Sequence, residues 1–314
     1  MTAIAQKLRA DSSAVRVSFH WLGTRKTLSG HQREQAAQPF DADSRFLSAS
    51  QKLFDTRHPA FKAVTAVRGD ILAYWRCSTL PYVEDGVRLL ARSQIDAFDG
   101  RMKEYQAALA DAVQQLDQSF HEIRSEAKKR LGSLFNPENY PPSVLGTITV
   151  EWSFPSVEPP EYLLQINPKL YEQEQQRIAA RFEEAVALAE AAFVKEFQEL
   201  VEALHERLTP DPGGQKKVFR DSAVENLTAF FQRFKQLNVG NNAELEKLIA
   251  QAAELTKGVK PEDLRALPTL KNEVCQGLGG IKDKLGGLIV LAPRRKIIKP
   301  TTNGAALNGP VHNS

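Results

Sequence analysis

Side chains able to carry out chemistry are few in this sequence and lie far apart. None of the six histidines lies at ligand spacing from another histidine or a cysteine; they are His20, His31, His58, His121, His205 and His312. Zinc sites need such clusters, so we expect no metal. The glycine-rich run QGLGGIKDK, with Gly277, Gly279 and Gly280, follows no strand pattern and lacks the context of a nucleotide-binding turn. We therefore expect no cofactor and no catalytic activity.

The number of cysteines and the hydropathy of the sequence indicate the cellular compartment in which we expect the protein. Cys77 and Cys275 lie about 200 positions apart, which makes no disulfide framework and is typical of a reducing compartment. The sequence contains no run of about 18 apolar residues, so we expect no membrane-spanning helix. The first residues lack the apolar core of a secretory signal. These features predict a cytoplasmic protein.

Two long amphipathic helices must position any functional surface. The first repeats an apolar residue every seven positions, at Ile95, Met102, Leu109, Leu116 and Ile123. The second begins near Pro168 and repeats apolar residues at spacings of three and four. Their matched lengths, over 87–132 and 166–208, predict a coiled-coil-like antiparallel hairpin.

The segment between these helices, residues 133–165, has a composition of its own. It holds six of the 17 prolines and four carboxylates, and it has no lysine or arginine. Its stretch TITVEWSF (147–154) alternates as a strand does, and the partner could be this segment, the N-terminal strand or another subunit. The segment is either a small β cap closing the hairpin or an acidic, aromatic binding surface. The candidate contact residues of that surface are Tyr140, Glu151, Trp152, Phe154, Glu158 and Tyr162.

The flanking regions carry weaker patterns. VRVSFHW (15–21) alternates as a strand, and RKTL (25–28) is expected to return as the second strand of a short N-terminal β-hairpin. Residues 43–56 and 60–76 predict helices. Residues 209–292 predict a smaller helical region whose five glycines near the end fit either close helix packing or loops.

The predicted fold class is mainly α: a long helical hairpin with a small β-containing tip, a short N-terminal β-hairpin and a C-terminal helical region. The predicted segments are an N-terminal strand and helix region (1–86), the first long helix (87–132), the acidic tip (133–165), the second long helix (166–208), the C-terminal helical region (209–292) and a basic, disordered tail (293–314).

A net charge of only +3 hides an uneven distribution. Residues 1–86 hold 12 Lys and Arg against 8 Asp and Glu, and residues 209–314 hold 16 against 10. The cluster of Arg294, Arg295, Lys296 and Lys299 is either a solubilising tail or a contact for nucleic acid or another anionic partner. The basic ends and the acidic middle therefore mark three candidate contact regions.

Three further stretches stand out in the sequence: FHWLGTRKTLS (19–29), TLPYVEDGVRLL (79–90) and FPSVEPPEYL (154–163). The first of them resembles the start of a bacterial and phage family of uncharacterised proteins, often encoded beside a MoxR-type AAA+ ATPase and a von Willebrand A-domain protein. The resemblance implies a non-catalytic partner of an AAA+ ATPase machine. The family has no established catalytic residues to carry over.

Three functions remain open. The first is an interaction or scaffold protein that contacts protein partners, or further copies of itself, through the tip and the basic ends. The second is a nucleic-acid-associated protein that uses its basic C-terminal region. The third is a membrane-active helical protein with a β tongue, against which the carboxylates and prolines of the tip argue. We adopt the first as the working hypothesis.

Overall fold

A computed structural model describes residues 1–209, 221–240 and 242–291, and the described chain is mainly α-helical. Its helices are α1 (Ala3–Asp11), α2 (Gly30–Ala37), α3 (Pro59–Ser78), α4 (Ile95–Leu131), α5 (Tyr162–Ile166), α6 (Pro168–Leu208), α7 (Ser222–Leu237), α8 (Ala243–Leu255), α9 (Pro261–Ala266) and α10 (Pro268–Leu291). Its strands are β1 (Ser12–His20), β2 (Arg25–Thr27), β3 (Ser50–Lys52), β4 (Leu80–Pro81), β5 (Val87–Ala91) and β6 (Thr149–Ser153).

A four-stranded antiparallel sheet, in the order β4-β5-β1-β6, lies at the centre of the fold. Strand β1 pairs with β5 through its first half, where Ala14 faces Leu89, and with β6 through its second half, where Phe19 faces Val150. The partner of the strand predicted in 147–154 is therefore the N-terminal strand. The predicted N-terminal β-hairpin is wrong, because β2 pairs with β3 and not with β1.

The sheet separates two hydrophobic cores. Successive side chains of a strand point to opposite faces, so Ala14 and its neighbour Val15 enter different cores. Ala14 joins Leu89 in a core built with α1, α6, α7, α8 and α10. Val15 joins Val17 in a core built with α3 and α4. The N-terminal region and the C-terminal helices are thus held together through one small sheet.

The two long helices do not form the predicted hairpin with each other. Helix α4 packs most extensively on α3, whereas α6 packs on α10, α1 and α7. Their buried stripes belong to different cores. An apolar stripe at helical spacing shows that one face of a helix is buried, but it does not identify the helix that covers this face. Two helices of matched length need not contact each other. The strand β5 also occupies 87–91, so α4 begins at Ile95 and not at residue 87.

The region 43–56 contradicts its helix prediction. It contains a single 3-10 turn at Ser44–Phe46 and then β3. The side chain of Phe46 is exposed, while Leu53 and Phe54 are buried against α4. The large apolar side chains of this region are therefore divided between solvent and core, whereas one face of a helix would carry them together.

Candidate interaction surface

The segment 133–165 does not project as a tip; its first half lies along α4. The Tyr140 hydroxyl donates to the carbonyl of Leu53, and the Tyr140 side chain is only 5% exposed. Asp117 of α4 accepts from the Ser143 hydroxyl and from the Val144 N–H, both at 2.7 Å. Burial raises the pKa of the Tyr140 phenol, as expected for a hydroxyl inside a core. Tyr140 is therefore a core residue, and its assignment to a contact surface is wrong.

Strand β6 forms one edge of the sheet, and α4 shields part of that edge. The side-chain amide of Gln106 donates to the Val150 carbonyl at 3.1 Å. The indole Nε1–H of Trp152 donates to Asp99 Oδ1 at 2.9 Å. The hydrogen bond from the Lys103 ammonium, and to a smaller extent the one from this indole, holds the pKa of Asp99 below its usual range. Since an unpaired edge invites another strand, these contacts protect it, and Trp152 is half-buried as a consequence.

Glu151 lies on the opposite face of β6, where the sheet is open to solvent. It faces Ser18 of β1, and one of its oxygens lies 3.9 Å from His20 Nε2. Both side chains are more than half exposed. Glu151 is therefore available to a partner, unlike Tyr140.

The chain that follows β6 exposes a series of large apolar side chains. Their exposed fractions are 40% for Phe154, 60% for Tyr162, 52% for Leu164, 75% for Ile166 and 39% for Leu170. These five are half of the exposed large apolar side chains in the part of the chain that the structure describes. We call residues 154–170 the 154–170 surface. Such a concentration is typical of a binding site, because singly scattered apolar residues are the ordinary case.

Local sequence explains why this stretch stays exposed. Helix α5 has only five residues, since Asn167 and Pro168 begin α6 immediately after it. The Asn167 side chain accepts the Leu170 N–H at 3.1 Å and caps α6. A helix this short packs one side on α6 and leaves its other side chains in solvent. The surface is thus mounted on the N-terminal end of a 41-residue helix.

Charge around the surface is weakly negative, because Glu151, Glu158 and Glu161 outnumber Lys169. Residues 133–165 contain Glu138, Glu151, Glu158 and Glu161 without any lysine or arginine. One of these carboxylates is compensated, because Arg9 of α1 pairs with Glu158, with Nε 2.7 Å from Oε1. That ion pair also ties the loop before α5 to the N-terminal helix. Glu158 is thus a positioning residue as much as a contact residue.

The six predicted contact residues of 133–165 therefore separate into four groups. Glu151, Phe154 and Tyr162 are exposed, Glu158 is exposed and paired with Arg9, and Trp152 is half-buried against α4. Tyr140 is buried. Arg294, Arg295, Lys296 and Lys299 lie outside the described residues.

Sequence reasoning missed Leu164, Ile166 and Leu170. The available signal was the apolar run YLLQI between Pro160 and Pro168, which is too short to bury itself as a helix of normal length. It also missed a cleft beside α4 that includes Asp55, Arg57 and Arg130. Those residues are distant in sequence, and no local spacing connects them.

Within residues 1–209, 221–240 and 242–291, no group of three His, Cys, Asp or Glu side chains could hold a metal ion. No helix in the same ranges combines the length and the hydropathy needed to cross a bilayer. Comparison with known protein families, with curated proteins and with solved structures gave no match.

Proposed function

We propose that this chain is a non-catalytic interaction protein that binds a partner protein through the 154–170 surface. One observation carries the proposal: Tyr162, Leu164 and Ile166 are each more than half exposed, and they lie within about one and a half helical turns. Exposed apolar area stabilises a complex by roughly 25 cal/mol per Å² when it is buried. Tyrosine is also enriched at the centres of protein interfaces.

The partner we propose presents apolar side chains flanked by lysine or arginine. The surface contains Glu161 and lies next to Glu151 in the sequence, and Lys169 at its other end balances only one of these two carboxylates. Complementary charge would steer such a partner and select against acidic ones. An AAA+ ATPase is the partner that the resemblance at 19–29 implies, and it is the first protein to test.

The test uses a fluorescent peptide of alternating lysine and leucine, with a control peptide in which glutamate replaces lysine. The double variant Leu164→Ser/Ile166→Ser removes the apolar centre of the surface. Phe46→Ser is the matched control, because Phe46 is 90% exposed and lies outside the surface. We expect the basic peptide to bind the wild type and Phe46→Ser alike, and to bind the double variant about tenfold more weakly.

Equal binding to all three proteins would overturn the proposal, as would equal binding of the acidic peptide. Light scattering after size exclusion tests the competing occupant, a second copy of the chain. A concentration-dependent dimer that Leu164→Ser/Ile166→Ser abolishes would assign the surface to self-association and would contradict the proposed partner.

A further inference from the structure

A cleft of about 810 Å³ lies beside the core of α3 and α4, between the segment 50–58, which includes β3, and the last turns of α4. This volume falls within the range of sites that bind small molecules. Its apolar lining comes mainly from Leu53, Phe54, Ile123, Ala127, Leu131 and Leu134. The cleft shares no residue with the 154–170 surface and is therefore a separate site.

Two guanidinium groups at the rim are held by one carboxylate. Asp55 Oδ1 accepts from the backbone N–H of Arg57 at 2.9 Å and from Arg57 Nε at 3.1 Å. Asp55 Oδ2 accepts from Arg57 Nη2 at 3.2 Å and from Arg130 Nη1 at 3.0 Å. The carboxylate therefore brings together two cations that would otherwise repel each other.

The arginines retain capacity for a ligand. The side chains of Arg57 and Arg130 are 82% and 57% exposed, so the N–H groups that bond neither Asp55 nor Glu126 face solvent. Asp55 and Glu126 together balance the two guanidinium charges, so the preference of this corner for an anionic head group rests on its hydrogen-bond donors and not on net charge. Paired guanidinium N–H groups match the two oxygens of a carboxylate.

Two other polar groups of the cleft are hydrogen-bond donors. His58 Nδ1 accepts the Ala60 N–H at 3.3 Å, which places the proton of the neutral ring on Nε2 as a donor. Lys52 supplies an ammonium. Of the remaining carboxylates, Glu126 is occupied by Arg130 Nη2 at 2.7 Å, and Glu122 offsets Lys52 in the charge balance.

We propose that this cleft binds an amphipathic carboxylic acid, with its apolar body on the floor formed by α4 and its carboxylate bridging Arg57 and Arg130. Asp55 acts as a positioning residue that fixes the two guanidiniums for the head group. The wall of Leu53, Phe54 and Ile123 removes the apolar body from water, which supplies the affinity that the ionic contact alone would lack.

Isothermal titration with octanoate tests this site, with octylamine as a ligand of equal length and opposite charge. The variant is Arg57→Met/Arg130→Met, whose two side chains are exposed and whose fold is checked by circular dichroism. Lys129→Met, an exposed residue of the same helix outside the cleft, is the matched control. We expect saturable octanoate binding to the wild type and to Lys129→Met, at least about tenfold weaker binding to the double variant, and none of octylamine.

Binding of octanoate to Arg57→Met/Arg130→Met with unchanged affinity would overturn the proposal. Absence of saturable octanoate binding to the wild type, or equal binding of octylamine, would do the same. Leu164→Ser/Ile166→Ser is included so that the two sites are separated, and we expect it to bind octanoate as the wild type does.

Discussion

Gly277 and Gly280 occupy the same helix, α10, in different surroundings. A Cβ built on Gly277 would lie 2.5 Å from Leu255 Cδ2 and 3.3 Å from Leu255 Cγ, whereas a Cβ on Gly280 would meet nothing within 4 Å. Both positions are helical, so alanine adds up to about 1 kcal/mol of helix propensity at each. At Gly277 that gain competes with an overpacking cost of about 1–3 kcal/mol.

We therefore expect Gly280→Ala to raise the free energy of unfolding and Gly277→Ala to lower it. Urea unfolding of the two variants beside the wild type measures the difference, and each variant serves as the other's control. Equal stabilisation by both alanines would show that α8 and α10 do not pack closely at this point.

The ionisation of Asp55 makes the stability of the fold depend on pH. The Arg57 side chain, then the Arg57 backbone N–H and the Arg130 guanidinium, hold the pKa of Asp55 far below its ordinary value of 3.8. A carboxyl with a lowered pKa in the folded state stabilises the fold fully above its unfolded pKa, and this contribution declines as pH falls toward the folded pKa.

We expect Asp55→Asn to be less stable than the wild type near neutral pH, with a gap that narrows as pH falls below about 4. Urea unfolding at a series of pH values measures this gap. Asp111→Asn, at an exposed position of α4, is the control. A gap that is absent at neutral pH, or that widens in acid, would contradict the arrangement of the two arginines around Asp55.

At the scale of elements, the pairing of α3 with α4 replaces the hairpin that the sequence suggests. Tyr74 of α3 stacks on Phe98 of α4 with ring centroids 5.6 Å apart, and it contacts Tyr105 at the same distance. An aromatic side chain held between two rings contributes both buried area and ring contacts.

We expect Tyr74→Ala to lower the free energy of unfolding by about 2–3 kcal/mol, because the half-buried ring leaves a partial cavity between the helices. Tyr162→Ala is the matched control, since Tyr162 is largely exposed, and it should change stability by about 0.5 kcal/mol or less. Denaturant unfolding with identical midpoints for both variants would be incompatible with α4 packing on α3 through these rings.

Elements of this protein were predictable where their signals are local. The alternation around Val15 and Val17 identifies β1, and Pro168 marks the first residue of α6. The partners of those elements depend on residues far away in sequence, so the pairing of β1 with β5 and β6 was not determined by any local pattern. The same limit explains the wrong hairpin: the stripes of α4 and α6 are both real, but different helices cover them.

The candidate surface was predictable in part for the same reason. Composition marked 133–165 as acidic and aromatic, and Glu151, Phe154 and Tyr162 are indeed exposed. Aromatic character alone does not separate a buried side chain from an exposed one, and Tyr140 reaches the Leu53 carbonyl only because the segment folds back along α4. The cleft at Asp55 depends on residue 130 returning to residue 55 and leaves no signal in either local sequence.

At the scale of the whole molecule, the two proposed sites lie on separate parts of the fold. The cleft belongs to the core of α3 and α4, and the 154–170 surface is mounted on α6, whose buried face lies in the other core. One sheet joins the two cores through β1. This arrangement allows a small molecule and a protein partner to bind the same chain at once.

Site-specific photo-crosslinking shows whether the 154–170 surface contacts a partner protein. A photoreactive amino acid is placed at Ile166 in one protein and at Phe46 in a second, both exposed, within the native cell. We expect the protein labelled at Ile166 to crosslink to a peptide with apolar residues flanked by lysine or arginine, and the protein labelled at Phe46 not to do so. Equal crosslinking from both positions, or crosslinks from Ile166 only to acidic peptides, would contradict the proposed contact.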